Sequence, residues 1–321
     1  MRFPFRTFVI TALTATLHPA LAAWPDDKPI EIVVGFAPGG GTDLLARKLA
    51  PFLKKQLGDK AQLIVMNKVG AAGEIASAHI AKAKPDGYTI GFVNVPSFLY
   101  LPMVKKTQYK VEEFRLIARI VDDPTVLVTR SESKYNSLTE VLSQLRSKPG
   151  SLSFGHNGTG SNGELALVAL SSAAGVEVNP IPFKGTAAQK TDLLGGHVDF
   201  GLISAGEVPE LHGGKTGLLK VITQFSDKRS AALPQAPTAT ESKVEVVMSS
   251  ERGLAAPKAV PSQILAKLQD AVDATLRDPE FTAAAGGDGP VLAFASGAQW
   301  QESLQQNSKL LQAVAAKAPK E

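Results

Sequence analysis

The chain has no cysteine among its 321 residues. That excludes disulfides, thiolate chemistry, cysteine-ligated zinc and a lipid-modified N-terminal cysteine. Aromatic residues make up only 6% of the chain, and no lysine or arginine run with interleaved aromatics occurs, so nucleic acid is not an expected partner. Beyond the first two dozen residues no apolar run approaches the length of a bilayer span. The histidines after that stretch, His79, His156, His197 and His212, include no i, i+4 pair and no H-E-x-x-H, so no metal is expected. A G-x-S-x-G elbow is also missing. His156 is the one histidine to consider for a site, and a solvent-exposed loop position is its plainer reading. His197 and Asp199 flank Val198 as surface or turn residues, and Asp122-Asp123 before Pro124 reads as a turn. No constellation demands catalysis, and no catalytic residue or cofactor is expected.

What the chain does have begins with MRFPFRTFVITALTATLHPALAA. Arg2 and Arg6 precede an apolar stretch from Phe8 to Leu17, and Ala20-Leu21-Ala22 supplies a small-residue cleavage signal. This is the layout of a secretory signal peptide over residues 1–22, cleaved near Ala22/Ala23, and its apolar part is too short to span a bilayer. Its removal takes away two arginines and no acids, which lowers the formal net charge from +4 to +2. An exported, soluble chain that makes no use of an oxidising compartment points to a periplasm-like location.

After the leader, strand-like apolar runs alternate with helical patterns. Strands are expected at residues 30–34, 63–66, 89–93, 126–129, 152–154, 179–183, 198–203, 219–223 and 253–256. Helices are expected at 42–57, 73–83, 137–147, 162–174, 187–194, 261–276 and 298–316. Pro51 lies inside the first helix, where it cannot donate a backbone bond to Arg47. The β–α order argues for an α/β protein with mostly parallel sheets. Two lobes fit better than one large sheet, because glycine-rich loops follow strands both early and midway, and in open α/β sheets ligands sit at the carboxyl ends of strands.

The early loop, VVGFAPGGGTD from Val33 to Asp43, runs from a strand into a helix. Its spacing nearly fits a P-loop, but Gly41 stands where the phosphate-reaching lysine belongs. Nor does it fit G-x-G-x-x-G, since Asp59 follows the helix and not a second strand. What remains is a helix start whose N–H groups and dipole suit a carboxylate. Thr42 and Asp43 as plain caps, with the glycines as a tight turn, are the structural alternative. A second loop, residues 67–74, opens another helix and reads equally as turn or contact. A third, GHNGTGSNG from Gly155 to Gly163, offers small polar groups suited to a carboxylate or a water-mediated ligand.

WPDDKPIEIVVGFAPGGGTDLLARKLAPFLKKQLG and NKVGAAGEIASAHIAKAKPDGYTIGFVN resemble the extracytoplasmic solute receptors of tripartite tricarboxylate transporters, the Bug-type receptors. The likeness continues through FGHNGTGSNGELALVAL, PFKGTAAQKTDLLGGHVDFG, LPQAPTATE and GLAAPKAVPSQILAKL. It implies a two-lobed periplasmic-binding-protein fold of type II with a ligand cleft between the lobes. One lobe would comprise residues 23–125 and 225–321, the other residues 126–224, closing on a small organic acid held with ordered water. The expected contacts are Phe36, Ala37, Gly39, Gly40, Gly41, Thr42 and Asp43 from the early loop. Val95 and Ser97 join them, with Gly158, Thr159, Gly160, Ser161, Glu164, Lys184 and Ser204 from the other lobe. A monomer partnering a membrane permease follows from the same resemblance. A receptor reporting to a membrane sensor, or an exported hydrolase using Ser161 or His156, are the alternatives.

Two positions depart from the family pattern. Glu164 replaces a frequent histidine, and Ile203 then Ser204 stand where an aspartate is common. A cleft-facing Glu164 would repel an anion and meet an amine or hydroxyl instead, or titrate upward beside a carboxylate. Lys184 would compensate as a cation, or simply solvate a loop edge.

Overall fold

Period-two alternation builds the core strands. In β1 (Ile30–Val34), Ile30, Ile32 and Val34 join one apolar cluster while Val33 joins another on the opposite face. The computed structural model describes residues 24–208, 217–231 and 233–316, and the expected signal peptide lies outside them. After β1 come α1 (Gly41–Leu57), β2 (Leu63–Asn67), α2 (Glu74–Ala81), β3 (Thr89–Val95) and α3 (Ser97–Val104). The long strand β4 (Phe114–Arg130) leads to α4 (Leu138–Ser147), β5 (Ser153–His156), α5 (Asn162–Ala174), β6 (Asn179–Pro182) and α6 (Thr186–Leu194). The chain continues through β7 (Phe200–Ser204), β8 (Leu219–Gln224), β9 (Ser249–Pro257), α7 (Ser262–Arg277), α8 (Pro279–Ala285), β10 (Leu292–Ser296) and α9 (Gly297–Ala315).

One sheet runs β2–β1–β3–β9–β4, with β10 also on β4. Strand β4 then leaves it to pair with β7 and β8, and the second sheet continues through β5 to β6. The handover falls at one peptide: Pro124 pairs with Ser249 of β9, and Thr125 with Ser204 of β7. Register shifts near Leu116 and Arg119 curl β4 against β9.

The sheets are mixed, with more antiparallel pairing than the expected mostly parallel arrangement. β2, β1 and β3 run parallel, as do β6, β5 and β7, while β4, β9 and β10 pair antiparallel. Strand direction depends on long-range pairing that β–α alternation does not encode. Asp122-Asp123-Pro124 lies within β4 and not in a turn, because the first sheet supplies partners for its charges. α3, α8 and β10 escape prediction as well; α3, SFLYLPMV, is apolar nearly all round and has no helical stripe to read.

The first helix is amphipathic, with Leu44 on its exposed side. Leu45, Ala46, Leu49, Ala50 and Leu53 are buried on one side, and α1 continues through Pro51. The core divides into three clusters. One covers the outer face of the first sheet, one the outer face of the second, and the largest joins both sheets under α9, with Trp300 fully buried. Among the described residues no helix is long and apolar enough to cross a membrane.

Candidate functional site

The carboxyl ends of β1, β3, β6 and β7 open onto a cavity of about 430 Å³. It receives Phe36, Ala37, Gly39, Gly40, Gly41 and Thr42 from the early loop, together with Val95, Ser97, Lys184 and Ser204. These residues come from both sheets, so folding brings most of the expected contact set to one place.

Asp43 departs from that set. Its carboxylate turns back onto its own loop, accepting from the Gly39 N–H at 2.9 Å, from Arg47 Nε at 3.0 and 3.1 Å, and from Asn67 Nδ2 at 2.8 Å. Burial works against its charge, but the bonds from Arg47, Gly39 and Asn67 outweigh it and hold its pKa below the ordinary value. Asp43 therefore ties the loop and does not face the cavity.

The tie leaves the helix start itself open. Gly40 is the N-cap of α1 and no side chain caps it. The first-turn N–H groups of a helix have no intrahelical partner, and here they belong to residues on the cavity wall. Thr42 is buried there, its hydroxyl accepting from Asn94 Nδ2 at 2.8 Å.

Across the cavity the same situation recurs at α6. Gly185 caps it without a side-chain bond, and Thr186, Ala187 and Ala188 line the opposite wall. The loop that was expected there behaves differently. Ser161 caps α5, its hydroxyl accepting from the Glu164 N–H at 3.2 Å, and the Glu164 carboxylate accepts from the Gly160 N–H at 2.6 Å. Unlike α1 and α6, α5 thus has a side-chain cap, which takes the Glu164 N–H. Gly160 and Ser161 line neither this cavity nor the larger one beside it, although the Gly160 carbonyl accepts from Ser97 Oγ at 2.7 Å. Gly158, Thr159 and Glu164 line the larger cavity.

Several wall residues were not expected. Asn157 Nδ2 donates to Thr186 Oγ1 at 2.8 Å, and Thr186 donates to Glu207 Oε2 at 3.0 Å. Arg252 of β9 donates to Asp123 Oδ2 at 2.6 Å, with side chains 4% and 0% exposed, and Asp123 Oδ1 accepts from the Gly206 N–H at 2.9 Å. Buried oxygens of Asn94 and Asn157 lack a hydrogen-bond partner, which makes each an acceptor for a donor in the cleft. Asn157 lay inside the quoted glycine loop and Thr186 just after Lys184-Gly185; Glu207 and Arg252 had no local signal.

Arg252 is paired with Asp123, while Lys184, exposed with no ion pair among the described residues, and the Glu207 carboxylate, which accepts from the neutral Thr186 hydroxyl, put one charge of each sign on the wall. Two helix starts, each equivalent to roughly +0.5 charge, tip the balance to positive. His156 is buried at the end of β5, not solvent-exposed. Burial drives its pKa below the ordinary value against the pull of Glu164 and the Gly158 carbonyl. Among the described residues no group of three or more acids and histidines could hold a metal.

Known proteins share this architecture. The family model TctC, described as tripartite tricarboxylate transporter family receptor, matches residues 45–318. Protein BugT of Bordetella pertussis is 32% identical over 292 residues, covering 89% of this chain and 88% of that one. The structure of the periplasmic binding protein BugD superposes with a TM-score of 0.81 at 29% identity, over 92% of this chain and 99% of that one. MatC from Rhodopseudomonas palustris, with bound malate, superposes with a TM-score of 0.79 at 26% identity, over 89% and 98%. These relatives are solute-binding receptors and not enzymes. The chain belongs to the receptor family of the tripartite tricarboxylate transporters.

Proposed function

We propose that this protein captures a small carboxylate in the cleft between its two sheets and delivers it to a membrane permease of the tripartite tricarboxylate type. The observation that carries the reading is the pair of uncapped helix starts, α1 and α6, facing one cavity from opposite sides. Each presents N–H donors and a positive dipole end to an anion. Malate in a related receptor supports the ligand class.

The lobes are residues 23–125 with 225–321, and residues 126–224. The change of β4 partners between Pro124 and Thr125, and the Phe225 N–H bonded to the Thr125 carbonyl at 2.8 Å, support these limits. Hinge closure of the lobes on the ligand is the usual mechanism of such binders. Residues 1–22 carry the chain to the periplasm, where it works as a monomer.

A thermal-shift screen against mono-, di- and tricarboxylates, amino acids, nucleotides and sugars tests the reading. A carboxylate at 100 times its dissociation constant stabilises by about 2.7 kcal/mol, a clear rise in melting temperature. If only nucleotides or sugars raise it, the proposal is wrong.

A further inference from the structure

Phe36, Ala37, Asn157 and Lys184 line the carboxylate cavity and also a second, larger one of about 750 Å³. The two are compartments of one cleft, with these four residues as the partition. The far compartment has a different character. Val69, Leu101, Val104 and Phe183 give it apolar walls, and Glu164 supplies an acid.

Its floor is strained. Ala71 and Ala72 adopt consecutive left-handed conformations, with φ of 47° and 53°, and both line this compartment. Non-glycine residues are disfavoured in that region and cluster at ligand clamps. Glu164 is half-buried, and one of its oxygens is fixed by the Gly160 N–H at 2.6 Å. Lys105 does not neutralise it, because its ammonium is held at 2.8 Å by Glu74. A compact dicarboxylate bridging α1 and α6 would leave this whole compartment unused.

We infer that the ligand is elongated: its carboxylate lies between the starts of α1 and α6, its apolar body passes the Phe36–Lys184 partition, and its far end donates a hydrogen bond to Glu164. The far group is a hydroxyl or an ammonium. A second carboxylate that reaches past Lys184 to Glu164 meets the Glu164 charge in a partly desolvated site, where like charges repel strongly. The inference rests on the carboxylate reading and specifies its ligand.

Calorimetric titration with six- and eight-carbon straight-chain carboxylates ending in methyl, hydroxyl, ammonium or carboxylate, beside succinate, tests it. The hydroxyl and ammonium compounds should bind at least about tenfold tighter than the dicarboxylates of equal length. Glu164→Gln, which keeps an acceptor for Gly160, should remove about tenfold of the ammonium compounds' affinity and most of that discrimination. Thr159→Trp, at an exposed position on the compartment wall, should weaken the long probes by about tenfold while leaving succinate within about twofold. Dicarboxylates that equal the ammonium compounds, or long probes indifferent to Thr159→Trp, would overturn the inference. Succinate binding in that event leaves the carboxylate reading standing; absence of any carboxylate binding removes both.

Discussion

Of the three consecutive glycines in the early loop, two are required for separate reasons. Gly39 has φ of +80°, a conformation that side-chain-bearing residues resist. Gly41 has no such need, but a Cβ there would stand 3.0 Å from both Arg252 Nη1 and Glu207 Oε1. Gly41 also occupies the position of a P-loop lysine, so the residue that argued against phosphate is the one that lets two charged side chains close on the helix start. Asp43 makes the loop rigid. Asp43→Ala would strand the Gly39 N–H and take from Asn67 one of its two acceptors, the Phe36 carbonyl remaining, and should cost about 1–3 kcal/mol in urea denaturation at neutral pH. Because the folded pKa of Asp43 is depressed, its contribution is present above the ordinary carboxylate range and lost as pH falls through the folded value. The difference between wild type and Asp43→Ala should therefore shrink in acid; a constant difference across pH would contradict the assignment.

At the scale of elements, legibility followed locality. β1, α1 and α5 were readable because period-two or helical stripes and glycine boundaries lie within a few residues of one another. β4 was read only over residues 126–129, since Asp122, Asp123 and Pro124 are poor strand formers. They persist there because Arg119 and Arg252 pair with the acids and β9 completes the ladder. The α6 start was harder still: KGT resembles any loop edge until β6 carries it to the same cavity as α1. The mid-chain glycine loop divides: Asn157 and Asn162 reach the first cavity and Gly158, Thr159 and Glu164 the second, while Ser161 and Glu164 bond the Glu164 and Gly160 N–H groups. Removing one member of a buried ion pair exposes the cost of the other. Asp123→Ala, which takes the carboxylate at 2.6 Å from the buried Arg252 at the handover of β4, should lower stability by about 3–5 kcal/mol in chemical denaturation. A loss below about 1 kcal/mol would show that the pair behaves as if solvent-exposed.

For the whole molecule, one long strand shared by two sheets explains why ligand contacts scattered from Phe36 to Arg252 converge. The first sheet contributes α1, Asn94 and Arg252; the second contributes Asn157, α6 and Glu207. Neither half encloses an anion alone, and the unused volume beyond Phe36 and Lys184 makes ligand length a variable. Titration of wild type and Gly41→Val with the carboxylate that gives the largest thermal shift tests the central claim most directly. The branched side chain should push Arg252 and Glu207 away from the α1 start and weaken binding by about 100-fold or more, while the ligand-free melting temperature changes by only a few degrees, about what 1 kcal/mol produces. Wild-type affinity in a folded Gly41→Val protein would contradict an anion held at the start of α1.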